Sequence, residues 1–141
     1  MKADKKNIEI ALVIYRDLFL KGFSVLIQGL GYDLSLACKE GRELLEKLDS
    51  DHLPNIIFID IDFEQTSAYE TILWLSKNYP SIKILALCMD VDRPAIDTAL
   101  QNGASGFMLK TADSGEVKSA IKTVLKKGQY FSTINPFRLY W

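Results

Sequence analysis

Pro54-Asn55-Ile56-Ile57-Phe58-Ile59-Asp60-Ile61-Asp62 is the stretch on which the reading turns. Four apolar residues lead straight into a carboxylate, and a second carboxylate follows two residues on. A short apolar run, largely β-branched and bounded by Pro and acids, reads as a strand buried on both faces. Open α/β sheets place their chemistry outside the carboxyl ends of such strands. The remainder of the chain is then a scaffold that holds Asp60.

Working outward, Ile8 to Ile14 is a first buried strand. Asp17 can cap the helix that follows. Leu18, Phe19, Gly22, Phe23, Leu26, Ile27 and Leu30 step by one, three and four along that helix, as an amphipathic face requires, and Gly29 and Gly31 close it. Tyr32 to Cys38 is a second strand. Glu40 to Leu48 is a short helix with Leu44, Leu45 and Leu48 inward. Beyond Asp60, Ser67 to Tyr79 is a helix presenting Ala68, Ile72, Leu75 and Tyr79, ended by Pro80. Ile82 to Leu87 is the fourth strand. Asp92-Arg93-Pro94 starts a helix that runs through Ile96, Ala99 and Leu100 to Asn102-Gly103. Gly106 to Leu109 is the fifth strand. Asp113 and Glu116 have capping-box spacing ahead of a helix burying Val117, Ala120, Ile121, Val124 and Leu125, which Gly128 ends. Strands alternating with helices give a parallel sheet covered on both faces, in five βα units.

The chain's 141 residues suit one domain. A net charge of −1 leaves no global electrostatic footprint for DNA, RNA or an anionic membrane. Polar residues 1–7 carry no apolar signal-peptide core, and no apolar run approaches the ~20 residues of a membrane helix, so a cytoplasmic protein is expected. Cys38 and Cys88 have no metal spacing. The segment 129–141 differs from the rest: Tyr130, Phe131, Phe137, Leu139, Tyr140 and Trp141 follow no helical period. It divides from a domain spanning 1–128 as an aromatic tail that packs on its own domain, makes a dimer contact, or begins a linker to an absent DNA-binding domain.

Taken together, these residues resemble the receiver domains of two-component response regulators, nearest in kind to receivers that precede a LuxR-type helix-turn-helix. The resemblance covers roughly residues 8 to 132. It rests on Leu18-Phe19 and Gly22, Gly41-Arg42-Glu43-Leu44-Leu45, Pro54 to Asp60, Ile82 to Leu87, Asn102-Gly103-Ala104-Ser105-Gly106-Phe107-Met108-Leu109-Lys110 and Gly128-Gln129-Tyr130-Phe131-Ser132. It implies a flavodoxin-like, doubly wound (βα)5 sandwich with a five-stranded parallel sheet of order 2-1-3-4-5. It also implies that Asp60 stands at the phosphoacceptor position, that Lys110 pairs with the phosphorylated side chain, and that Phe107 stands at a switch aromatic.

The departures are chemical. The family has an acid pair at the end of strand one, which with the phosphoacceptor holds Mg²⁺; alignment through Phe19 and Gly22 puts Ile14 and Tyr15 there. Mg²⁺ wants octahedral oxygen ligands, and Ile supplies none. Where the family has Thr or Ser at the phosphate pocket, Cys88 offers a weak thiol donor. The family's Met-Pro-Gly after strand three is replaced by Phe63-Glu64-Gln65. Of the chemical positions, Asp60 and Lys110 remain, and no Mg²⁺ cofactor is expected. Asp17 and Asp62 are weak candidates to rebuild a metal site with Asp60; Asp17 is more simply a cap. The Tyr15 ring is expected over the vacated metal position, with its hydroxyl near Asp60 or Lys110. Cys38 and Cys88, three strands apart at ~4.8 Å each, stand ~14 Å apart, beyond the ~7 Å a disulfide spans. His52 is the only His, in a polar loop, and makes no metal site alone.

A non-enzymatic, atypical receiver is the expectation, signalling by protein contact without normal Mg²⁺-dependent phosphorylation. Its partner surface would be the fourth helix, fifth strand and fifth helix, engaged by a histidine kinase or a second copy, with no nucleic acid or membrane bound by this chain. The alternative is a working receiver, phosphorylated at Asp60, that controls a LuxR-type DNA-binding regulator. A flavodoxin-like cofactor binder is disfavoured, because Tyr15-Arg16-Asp17-Leu18-Phe19 lacks the small residues of a phosphate cradle.

Overall fold

The structure, a computed structural model, describes residues 7–63 and 67–132. Its elements are β1 (Glu9–Val13), α1 (Asp17–Gly29), β2 (Asp33–Cys38), α2 (Gly41–Lys47), β3 (Ile56–Asp60), α3 (Ala68–Asn78), β4 (Lys83–Cys88), α4 (Arg93–Gln101), β5 (Gly106–Leu109), α5 (Ser114–Lys127) and β6 (Tyr130–Phe131). All strand pairs are parallel. The expected order 2-1-3-4-5 is present, extended by a sixth strand to β2-β1-β3-β4-β5-β6. The five-strand expectation is thus corrected at one edge.

Strand alternation sorts the core into two layers. Ile10, Leu12 and Ile14, with Ile56 and Phe58, face Leu20, Phe23 and Ile27 of α1 and Val117, Ala120, Ile121 and Val124 of α5. Ala11, Val13, Ile57, Ile59, Ile84 and Ala86 face Leu44 of α2, Ile72 and Leu75 of α3, and Ile96 and Ala99 of α4. Every residue of β3 is buried, as a central parallel strand requires.

Three local expectations change. Asp17 is not the cap of α1: Arg16 holds that position without a side-chain cap bond, and Asp17 is the first helical residue, paired with Lys21 at 3.3 Å on the surface. Leu18 points outward, 86% exposed, and Leu20 takes its place in the core. The apolar run Leu18-Phe19-Leu20 leaves the helical phase open by one step, and burial of Phe23 and Ile27 selects Leu20. At α5, Asp113 does cap, accepting from the Glu116 N–H at 2.8 Å, but the Glu116 carboxylate is used elsewhere. It accepts from the Tyr130 and Ser132 hydroxyls, each at 2.7 Å.

That latch explains β6. Tyr130 and Ser132 donate backbone N–H bonds to the carbonyls of Ser105 and Phe107, and the Leu109 N–H donates to Ser132 Oγ at 3.1 Å. Gly106 makes room: at φ 151° a Cβ there would run into the Tyr130 carbonyl. The first residues of the aromatic segment therefore pack on their own domain. Phe137, Leu139, Tyr140 and Trp141 lie outside the described residues.

Candidate functional site

Register builds the site at the strand tips. Asp60 lies opposite Leu87, Cys88 opposite Leu109, and the Lys110 N–H donates to the Cys88 carbonyl at 2.8 Å. Alternation sends Asp60 to the side of Ile56 and Phe58, and Lys110 to the side of Met108, so both enter the α1–α5 layer. Asp60 is fully buried, and its Oδ2 accepts from Lys110 Nζ at 2.9 Å while Oδ1 accepts from the Asp62 N–H at 2.9 Å. Burial pushes the Asp60 carboxyl above its ordinary value, against the opposing pull of the Lys110 ammonium and the Asp62 N–H.

Asp62 completes the arrangement in a way its position did not announce. Its Oδ2 stands 2.7 Å from Lys110 Nζ and accepts from the Met89 N–H at 2.9 Å. The Lys110 side chain, 5% exposed, is thus held between two carboxylates. Its ammonium also lies 5.1 Å from the Phe63 ring centroid and 5.6 Å from that of Phe19. Arg16 covers Phe63 at 5.2 Å. These groups border a groove of about 840 Å³ running along α1 past Leu18, Phe23, Leu26, Met89 and Asp90.

The remaining sequence candidates fall apart from this cluster. Ile14 is fully buried in the α1–α5 core. The Tyr15 ring packs on Phe63 at 5.6 Å, with Lys39 at 5.6 Å from its centroid. The expected approach of its hydroxyl to Asp60 or Lys110 is not seen as a hydrogen bond among the described residues; the Phe63 ring touches both Tyr15 and the Lys110 ammonium. Cys88 belongs to the α2–α4 layer, 1% exposed, its thiol pushed up to about 12 by burial first and by Asp62 second. Cys38 is buried likewise, raised to about 11. Phe107 is buried in the layer of Ile96 and Ala99, 6.3 Å from the Phe131 ring. His52 sits at the opposite end of the sheet, 2.7 Å from Glu9.

Mg²⁺, which this type of fold implies, is not matched by the donors. The strand-one positions offer a packed Ile14 and an aromatic ring turned onto Phe63. Both Asp60 oxygens already accept from donors, and Asp17 lies on the outer surface with Lys21. Among the described residues no three His, Cys, Asp or Glu side chains converge as a metal site. Sequence reasoning missed Met89, whose contribution is a backbone N–H, and Phe63, whose only signal was that it replaced part of a familiar loop.

Comparison with known proteins agrees with the fold. The response regulator receiver domain family matches residues 12–122. The chain is 25% identical over 130 residues to the transcriptional regulatory protein DegU of Brevibacillus brevis, covering 92% of this chain and 55% of that protein. It is 32% identical over 81 residues to the transcriptional regulatory protein MctR of Rhizobium johnstonii, covering 57% of this chain and 38% of that one. The chain thus spans about half the length, or less, of these curated relatives. Among solved structures, a LuxR-family two-component response regulator from Aurantimonas superposes with a TM-score of 0.78 at 22% identity, covering 96% of this chain and 94% of that one. The signal receiver domain of the response regulator NarL from Mycobacterium tuberculosis gives 0.78 at 20% identity, covering 86% and 98%. The family model covers well over half of the chain and the sheet order agrees with the superposed receivers, and the chain belongs to the response regulator receiver domains.

Proposed function

We propose that this receiver acts in two-component signalling as a phosphorylation-independent binding module. One observation carries the reading: the Lys110 ammonium is already held by both Asp60 and Asp62. Around it, the positions that would bring a cation carry Ile14 and Tyr15. Phosphoryl transfer needs positive charge at the developing oxygens. Without the metal, the loss is several kcal/mol, on the order of a thousandfold in rate.

The partner is a protein, a histidine kinase or a second copy of the chain, engaged on the face between α4 and α5. The structure changes what that face presents. β6 covers the outer edge of β5, so the surface there includes the half-exposed Phe131. A cytoplasmic location goes with this reading, and no helix among the described residues is long and apolar enough to cross a membrane.

A second reading has its own support. Lys110 Nζ donates to Asp60 at 2.9 Å, the pairing a phosphoacceptor and its lysine would need, and the matches cover only 55% of DegU and 38% of MctR, both named transcriptional regulatory proteins. On that reading the domain is phosphorylated at Asp60 and governs a LuxR-type DNA-binding domain elsewhere in a longer protein. Intact mass after incubation with Mg²⁺ and acetyl phosphate separates the two. The first expects no adduct; an increment of about 80 Da, absent from Asp60→Asn, establishes the second.

A further inference from the structure

We infer that Asp62 is the pocket's own anion, its carboxylate holding the two donors that would otherwise receive the oxygens of a phosphoryl group on Asp60. The inference rests on the phosphorylation-independent reading and names the group that stands in for phosphate. An ammonium and a backbone N–H converge on one oxygen: Lys110 Nζ at 2.7 Å and Met89 N at 2.9 Å from Asp62 Oδ2. Met89 is the first residue beyond β4, where the ladder ends and its N–H is free to point at an anion. Lys110 faces Asp60 from the neighbouring strand at 2.9 Å. A phosphoryl group built on Asp60 would present its oxygens to this same pair.

The backbone places Asp62 there. The Ile61 N–H donates to the Leu87 carbonyl at 2.9 Å, which keeps the chain beside β4 for one residue past the strand. The Asp62 N–H then turns back onto Asp60 Oδ1 at 2.9 Å, which sets its side chain over the tips of β4 and β5. Charge follows from this. One ammonium faces two carboxylates, so the site opposes an approaching dianion. A neutral residue at position 62 would leave the Met89 N–H and one side of Lys110 open.

The test uses the folded domain, with Asp62→Ala and the near-isosteric Asp62→Asn compared with the wild type. Amide spectra read the Met89 N–H before and during titration with inorganic phosphate in the absence of metal. Both substitutions are expected to shift the Met89 amide. Asp62→Ala is then expected to respond saturably to phosphate, roughly tenfold more tightly than the wild type, with Asp62→Asn between them. A Met89 amide left in place by both substitutions, or an equal phosphate response in all three proteins, overturns the assignment. An acetyl phosphate adduct on the wild type counts against phosphorylation independence instead, and the Met89 amide still reports the Asp62 contact.

Discussion

The Asp62 carboxylate stands nearer to the Lys110 ammonium, at 2.7 Å, than the Asp60 carboxylate does, at 2.9 Å. Lys110 is therefore shared, and the pocket at the tips of β3 and β5 is internally satisfied. Its consequences for stability and reactivity can be measured separately.

Asp60 is an acid held above its ordinary pKa by burial. Such a group carries more protons folded than unfolded between its unfolded and folded values, so its contribution to stability falls as pH rises through that interval. Comparing Asp60→Asn with the wild type by chemical denaturation across pH should show the difference moving in the variant's favour as pH rises through the interval, then levelling. Movement in the wild type's favour would mean that Lys110 outweighs burial.

Ile14 and Tyr15 should respond unequally to an introduced acid. Ile14 is fully buried against α1 and α5, whereas Tyr15 is half-buried on Phe63 and Lys39. Ile14→Asp is expected to cost at least about 3 kcal/mol, from lost packing and a buried carboxyl, and Tyr15→Asp about 1 kcal/mol. Urea unfolding midpoints measure both. Equal costs would show that Ile14 still lines the pocket and is not part of the core.

The two thiols should be silent. Cys88 is raised to about 12 and Cys38 to about 11, both by burial, and the thiolate is the reactive form. Iodoacetamide at neutral pH is expected to label neither in the native protein and both after denaturation. Native labelling at Cys88 would contradict its placement in the α2–α4 layer.

β6 depends on Gly106 and Glu116. Ser132→Ala removes a buried hydroxyl that donates to Glu116 and accepts from the Leu109 N–H, a loss of about 1–3 kcal/mol. Gly106→Ala places a methyl against the Tyr130 carbonyl and is expected to release β6 while β4 and β5 stay paired. Amide exchange should show protection lost at Ser132 and retained at Met108. Retained protection at Ser132 in Gly106→Ala would be inconsistent with this register.

These elements also show what the amino-acid sequence can and cannot convey. Ile56 to Asp60 announced itself because a doubly buried strand is a run of apolar residues, and the pattern around it gave the alternation of strands and helices, while the sheet order and the Asp60–Lys110 pair followed from the resemblance to receiver domains. The phase of α1 was ambiguous, since Leu18 and Leu20, two residues apart, lie on opposite faces of the helix and tertiary burial decides between them. β6 is two residues long, too short for a period of two to register. Asp113 and Glu116 had capping-box spacing, but the Glu116 carboxylate is claimed by hydroxyls 14 and 16 residues away. Met89 contributes only its backbone, which no residue type encodes. Asp62 was visible as an acid, while its partners came from the ends of two other strands.

The most direct test of the central claim is beryllofluoride binding in the presence of Mg²⁺, followed through the amide resonances of Met89, Phe107 and Lys110. It reads occupancy of the pocket without requiring phosphoryl transfer to be fast. A pocket already filled by Asp62 and lacking its metal ligands predicts no saturable change at any of the three. A saturable shift at Met89 and Lys110 that disappears in Asp60→Asn would contradict the account.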